Sequence, residues 1–328
     1  MMLVNHFNDN ARAQRSVVNI PRVVMNVALR DDCINLCHIN AQSLCARRLS
    51  KLDEFKICFT NSKVDIVCIT ESWLNENISD ATVAVDGYCI LRNDRTTGRG
   101  EGICIYHRFV LDCKVIAGSG NHAGQGDGDR TEYLFIEVRV NNDKFLLGVV
   151  YSPPEIDCSN ILDQKLSELS LDYEKIVVTG DFKTNLKKVS TKTARLCEVL
   201  DNFGLFCINN EPTHFYPGGS SLLDLLITND INFVLNFNQV SAPGFSHHDM
   251  IFASLNITRN SNNRSNMYRD YNRINFLALQ DALNVINWSL LYSITDSDLA
   301  LDFFNSHIVQ LYDSFVPLRA LRPKSNAP

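Results

Sequence analysis

Short apolar runs between residues 33 and 258 limit what this chain can fold into more than any other feature. The runs are "INLCHI" (34–39), "DIVCIT" (65–70), "GICIYH" (102–107), "YLFIEVRV" (133–140), "FLLGVVY" (145–151), "KIVVTG" (175–180), "LLDLLIT" (222–228) and "MIFASLNI" (250–257). They are rich in β-branched residues and bounded by polar or turn-forming ones, which reads as buried strands. Between them lie residues at helical spacing: Leu49, Leu52, Phe55 and Phe59; then Leu162, Leu166 and Leu169; then Leu196, Val199, Leu200 and Phe203, with Gly204 as a stop. Two strands follow each other directly across "NNDK", which predicts a hairpin. A strictly alternating βαβ chain has no such hairpin. The pattern predicts an α+β, four-layer sandwich of two mixed β-sheets flanked by helices.

The flanks differ. Residues 1–31 carry no clear period and are expected to form a loosely ordered leader to a domain spanning 32–258. From 259 the chain turns polar and linker-like, then shows helical spacing over about 275–287 and 297–314 before a basic end. A net charge of -6 excludes a histone-like polycation but leaves room for a local basic patch. Eleven cysteines without a CxxC pair point to reduced thiols rather than a disulfide framework or a zinc site. No run approaches the ~18 apolar residues of a membrane span. No signal-peptide core stands near the start. An intracellular, non-secreted protein without a membrane segment is expected.

Four apolar runs lead to residues capable of chemistry: Asn40, Glu71, Tyr151 and Asp181. Strand ends present side chains rigidly into a cleft. A polar residue after any one strand needs no functional explanation; four together, two of them carboxylates, do. Asp224 sits inside an apolar run, where a carboxylate calls for a partner. "FSHHDMI" supplies His247, His248 and Asp249. A buried Asp holding a His is a common way to fix a cationic imidazole that faces phosphate.

Together, "HINAQSL", "CITESWL", "GVVYSPP", "VTGDFKTN", "EPTHF…SSLLDLLIT" and "FSHHDMI" resemble the ordered motifs of the endonuclease/exonuclease/phosphatase superfamily. More narrowly they resemble the apurinic-type endonuclease domain of non-LTR (LINE-type, jockey- and chicken-repeat-like) retrotransposon polyproteins. The resemblance covers about 33–258, and the tail from 268 is similar to the segment that joins such a nuclease to a reverse transcriptase. It implies a hydrolase in which a divalent cation, Mg²⁺ or Mn²⁺, assists water attack on a DNA phosphodiester. DNA is the implied partner, with a reverse transcriptase in an intact element, the domain itself being monomeric. A nicking enzyme must reach chromatin, so the implied location is nuclear or cytoplasmic.

The same resemblance assigns roles. Glu71 matches the metal-ligand glutamate and Asn40 the asparagine that holds metal and phosphate. Tyr151 matches the tyrosine that reaches the scissile phosphate. Asp181 matches the aspartate that orients or deprotonates the attacking water. Thr213 matches a threonine at the substrate groove, and Asp224 with His248 the pair that donates to a phosphate oxygen. Candidate backbone-binding cations are Arg47, Arg48, Arg92, Arg95, Arg99, Lys187, Lys188 and Lys192; "RNDRTTGRG", with Arg95 and Arg99, is the best placed.

Two positions depart from the family pattern. Lys183 stands where Gly-Asp-Phe is normally followed by Asn, and His247 stands where Ser-Asp-His has its Asp. The first change puts a donor-only cation beside the centre, and the second removes an anion. Asp249 lies ~6–7 Å further along an extended strand, too far for full rescue. Weakened turnover is therefore expected. A non-catalytic transposon relic or binding module is one alternative, and a small-molecule phosphatase of the same superfamily another. Glu101, where the family prefers glycine, is expected to alter only a turn.

Overall fold

The computed structural model describes residues 24, 27–46, 50–60, 62–94, 101–120, 130–242, 245–259, 267–269, 274–316 and 318–320. The first sheet contains β1 (Cys33–Asn40), β2 (Ile66–Thr70), β3 (Tyr88–Asn93), β4 (Ile103–Arg108), β13 (Val234–Val240) and β14 (Met250–Thr258), in the order β13-β14-β1-β2-β4-β3. The second contains β5 (Asp112–Gly118), β6 (Glu132–Val140), β7 (Asp143–Tyr151), β8 (Ile176–Asp181), β9 (Phe206–Cys207) and β12 (Asp224–Thr228), in the order β5-β6-β7-β8-β12-β9. The pairs β1–β2 and β7–β8 are parallel and the other pairings are antiparallel, so both sheets are mixed. A small hairpin, β10 (His214–Tyr216) with β11 (Gly219–Ser221), stands beside them.

Alternation of side chains along the strands builds four layers. Ile34 and Leu36 of β1, Leu147 and Val149 of β7, Val177 of β8 and Leu226 of β12 meet between the sheets. Cys37 and Ile39 face the other way, onto Leu52, Phe55 and Phe59 of helix α1 (Ser50–Thr60). On the far side, Leu146, Val178 and Leu225 pack on α3 (Ser159–Leu169) and α4 (Thr191–Asn202); a single-turn α2 (Asp80–Val83) precedes β3. At the end of α4, Gly204 has φ +61°, its N–H donates to the Asp201 carbonyl and that of Leu205 to the Leu200 carbonyl, so the chain stops where the spacing predicts.

The apolar-run reading misses β3, β5, β9 and β13, which are the outermost strands of the two sheets and only partly buried along their length. After the sandwich come β15 (Met267–Arg269), α5 (Phe276–Val285), α6 (Ser289–Ser293), α7 (Ser297–Phe315) and β16 (Leu318–Ala320). Most of residues 1–31, expected to form a loosely ordered leader, lie outside the described residues, but Val24 and Leu29 are buried in the cluster on the α1 side of the first sheet. The eleven cysteines all carry free thiols. No described helix is long and apolar enough to cross a membrane.

Candidate active site

The face of each strand that fills the inter-sheet core turns polar at one end. On β1 the positions after Ile34 and Leu36 are His38 and Asn40, and on β2 the position after Ile66 and Cys68 is Thr70. On β7 the series ends in Tyr151, on β8 in Thr179 and Asp181, and on β12 it begins with Asp224. Pairing register brings these abreast: Asn40 beside Thr70, Tyr151 beside Asp181, and Asp181 beside Asp224. The C-terminal ends of β1, β2, β7 and β8 and the N-terminal end of β12 thus share one cleft.

Hydrogen bonds tie the two sheets across it. Asn40 Nδ2 donates to Glu71 Oε1 at 2.8 Å and to Asp181 Oδ2 at 2.7 Å. Asn40 therefore turns its amide N–H toward the carboxylates, while its oxygen accepts from the Gln42 N–H. Glu71 has φ +49°, a sparsely populated conformation held by the Ser43 N–H on the Glu71 carbonyl at 2.9 Å. Lys51, buried under this loop, donates to the Ala41 and Gln42 carbonyls. Glu101 also has φ above zero, +71°, which is why glycine suits that turn.

Asp224 finds the partners its burial calls for. Its Oδ2 accepts from the Thr213 hydroxyl at 2.6 Å and lies 2.7 Å from His248 Nδ1. Thr213 Oγ1 in turn accepts from the Asp224 N–H at 3.0 Å. Burial opposes charge on His248, but the Asp224 carboxylate outweighs it and raises the imidazole above its ordinary range. The other ring nitrogen, Nε2, stands 3.9 Å from Asp181 Oδ2, facing the cleft. Removing a buried partner strands the other. We expect Asp224→Ala to lower the unfolding free energy in urea by about 3 kcal/mol and Thr213→Val by about 1 kcal/mol. Equal losses for the two would mean that the His248 contact carries nothing.

Two histidines here escape the apolar-run reading. His38 is fully buried, with Nε2 3.2 Å from Thr70 Oγ1 and Nδ1 3.9 Å from Asp224 Oδ1. Burial lowers its pKa, so it is a neutral imidazole on the side of Asp224 away from His248. Its position two residues before Asn40, on the same strand face, is the signal that finds it. His214 packs against His248 with ring centroids 4.4 Å apart and the rings tilted by 40°.

The departing residues fall differently. Lys183, at φ +46°, folds back so that Nζ lies 2.6 Å from Asp181 Oδ2 and 3.1 Å from Glu71 Oε1. Burial opposes its charge, and the two carboxylates override this and raise its pKa. Burial, with Glu71 and Asp181 nearby, pushes the Tyr151 phenol up, so it is a neutral hydroxyl. His247 is exposed and its N–H points to Gln42 Oε1 at 3.3 Å. The Asp249 carboxylate accepts from Gln239 Nε2 at 3.0 Å. Arg47, Arg48, Arg95 and Arg99 lie outside the described residues. Arg92 is not a free phosphate contact: Asp80, Asp94 and the carbonyls of Asn75 and Ile78 take its guanidinium.

Asp181, Asp224 and His248 each offer a ligand atom, all within 4.8 Å of one another, a group able to hold a metal ion. Carboxylate oxygens suit Mg²⁺ or Mn²⁺. As arranged, however, His248 and Asp224 bond each other, and the Asp181 and Glu71 oxygens that face one another share the Lys183 ammonium. The set does not fit a divalent ion while Lys183 holds that position.

Solved structures with this architecture include the endonuclease domain of TRAS1, a telomere-specific non-LTR retrotransposon (13% identity, TM-score 0.52, covering 68% of this chain and 99% of that one). An endonuclease/exonuclease/phosphatase family protein from Leptotrichia buccalis matches at 13% identity and TM-score 0.51, over 68% of this chain and 100% of that one. The chain shares the fold of these two proteins. The AP endonuclease LMAP from Leishmania major shares it at 14% identity and TM-score 0.52, over 68% of this chain and 88% of that one. At these identities the likeness is one of fold alone. No protein-family model and no curated protein matches the chain. The cleft at the strand ends brings together Asn40, Glu71, Tyr151, Asp181, Lys183, Asp224 and His248; His247, Lys187 and Lys188 are exposed, and Lys192 donates to the Pro154 carbonyl.

Proposed function

We propose that residues 32–258 form a DNA phosphodiesterase domain of the non-LTR retrotransposon endonuclease kind, with turnover weakened by Lys183 and His247. The tail, 259–328, would be the segment leading to a reverse transcriptase, and the protein would act inside the cell on chromatin. One observation carries the reading: Asp181 sits at the cleft end with Asn40 Nδ2 at 2.7 Å and the Asp224-backed His248 Nε2 at 3.9 Å. Such a constellation suits phosphodiester hydrolysis. Asp181 would orient the attacking water and accept its proton. His248, its pKa raised by Asp224 against the effect of burial, would donate to a non-bridging phosphate oxygen, and Tyr151 and Asn40 would hold the same phosphate. Thr213, fully buried, would position Asp224 through its hydroxyl. The Lys183 ammonium occupies the position between Glu71 and Asp181 where a divalent ion would supply charge neutralisation.

Lys183 also favours a second reading, a relic that keeps the fold and the DNA groove without turnover. Supercoiled plasmid with magnesium separates them. Slow nicking by the full chain is expected, with Asp181→Asn and His248→Ala each reducing it a further ~10²–10³-fold while duplex binding persists. Duplex binding without any nicking supports the relic. Phosphate release from an inositol phosphate, with no binding to DNA, would sink both.

A further inference from the structure

Glu71 Oε1 and Asp181 Oδ2 converge on the same two nitrogens, Asn40 Nδ2 and Lys183 Nζ, with side chains only 13% and 0% exposed. Two buried carboxylates so placed need a cation between them. Lys183 Nζ contacts the same two oxygens that Asn40 bridges, at 3.1 Å and 2.6 Å, and its side chain is 15% exposed. The left-handed backbone at Lys183 and its N–H on Asp181 Oδ1 at 3.1 Å fold the residue back over the carboxylate it follows. The Tyr151 ring, 5.7 Å away, presents an aromatic face to the ammonium. Two carboxylates and a ring thus surround Nζ.

A metal entering the seat would meet the Lys183 ammonium at contact distance from the same two carboxylate oxygens.

We propose that the ammonium of Lys183 is the resident cation of this centre: the chain itself fills the seat between Glu71 and Asp181 and excludes a divalent metal. The inference deepens the nuclease reading and rests on it for the expectation that a metal belongs here at all. It makes Lys183 an intramolecular stand-in for a cofactor.

Direct titration of the full chain with Mn²⁺, followed by the electron paramagnetic resonance of the free ion, tests this without reference to cleavage. The unsubstituted chain is expected to show no stoichiometric site. Lys183→Asn and Lys183→Met are each expected to gain one site at least about ten-fold tighter, and adding Glu71→Gln to Lys183→Asn to remove it. A site in the unsubstituted chain as tight as that of Lys183→Asn overturns the proposal. So does the absence of any gain in a variant whose circular dichroism and melting match the parent. Should both variants unfold, the parent decides: a melting midpoint raised by added Mn²⁺ overturns the proposal, and an unmoved one supports it. Cleavage is scored separately. A chain that never touches DNA would sink the nuclease reading and leave the Mn²⁺ result standing.

Discussion

The double substitution Lys183→Asn with His247→Asp is expected to raise magnesium-dependent nicking of supercoiled plasmid by at least about 100-fold. The first change removes an ammonium 2.6 Å and 3.1 Å from the two carboxylate oxygens of the centre. It replaces a donor-only cation with an amide that both donates and accepts. The second adds a carboxylate at an exposed position next to His248, on a segment tied to the loop after β1 through Gln42 Oε1. Asp249 does not serve in its place, because its carboxylate is engaged by Gln239 on β13. The two changes act on one electrostatic centre, so their effects are coupled. Lys183→Asn alone should recover most of the gain, and His247→Asp alone little, since the ammonium still holds the seat. A folded double variant no more active than its parent would show that something other than these two residues limits the chemistry.

What the sequence discloses, and what it withholds, follows from burial. The interior strands of both sheets are covered on two faces and read as apolar runs, down to Ile176-Val177-Val178 leading into Asp181. The edge strands are only partly buried along their length. "YCILRN", "DCKVIAG" and "VLNFNQV" mix polar with apolar residues and carry no such run. The same logic makes most of the site readable. A polar residue continuing an apolar strand face, such as Asn40 or Asp181, has to emerge at the end of the inter-sheet core. Asp224 announces a partner by its burial, though not that the partner is 24 residues away. The Lys183 contact lies beyond this logic. A lysine two residues after a strand-end aspartate is ordinarily solvated. It reaches both carboxylates only because its backbone is left-handed and Glu71 arrives from the other sheet. His38 was hidden by the opposite effect: a histidine inside an apolar strand looks like core, and only the polar cluster around it gives it a task.

Gly180→Ala should cost at least about 4 kcal/mol of unfolding free energy, or prevent folding outright, because it combines a steric and a conformational penalty at one atom. Gly180 has φ +146°, a conformation open to glycine and rarely to other residues. A Cβ there would lie 1.9 Å from the Val150 carbonyl oxygen and 2.8 Å from that residue's C and N. Those are backbone atoms, so no side-chain rotation relieves the clash. Val150 and Gly180 are partners in the parallel pairing of β7 with β8, and the next pair in register is Tyr151 with Asp181. Relief would have to come from separating the two strands that carry the phenol and the carboxylate of the centre. Gly204→Ala is the control. Gly204 also has φ above zero, +61°, but nothing lies within 4 Å of its Cβ position, so only the conformational cost of about 1 kcal/mol applies. Urea unfolding of both variants separates the contributions. Comparable losses would mean that β7 and β8 move apart easily, and that the spacing which delivers Asp181 to the cleft is not enforced by this contact.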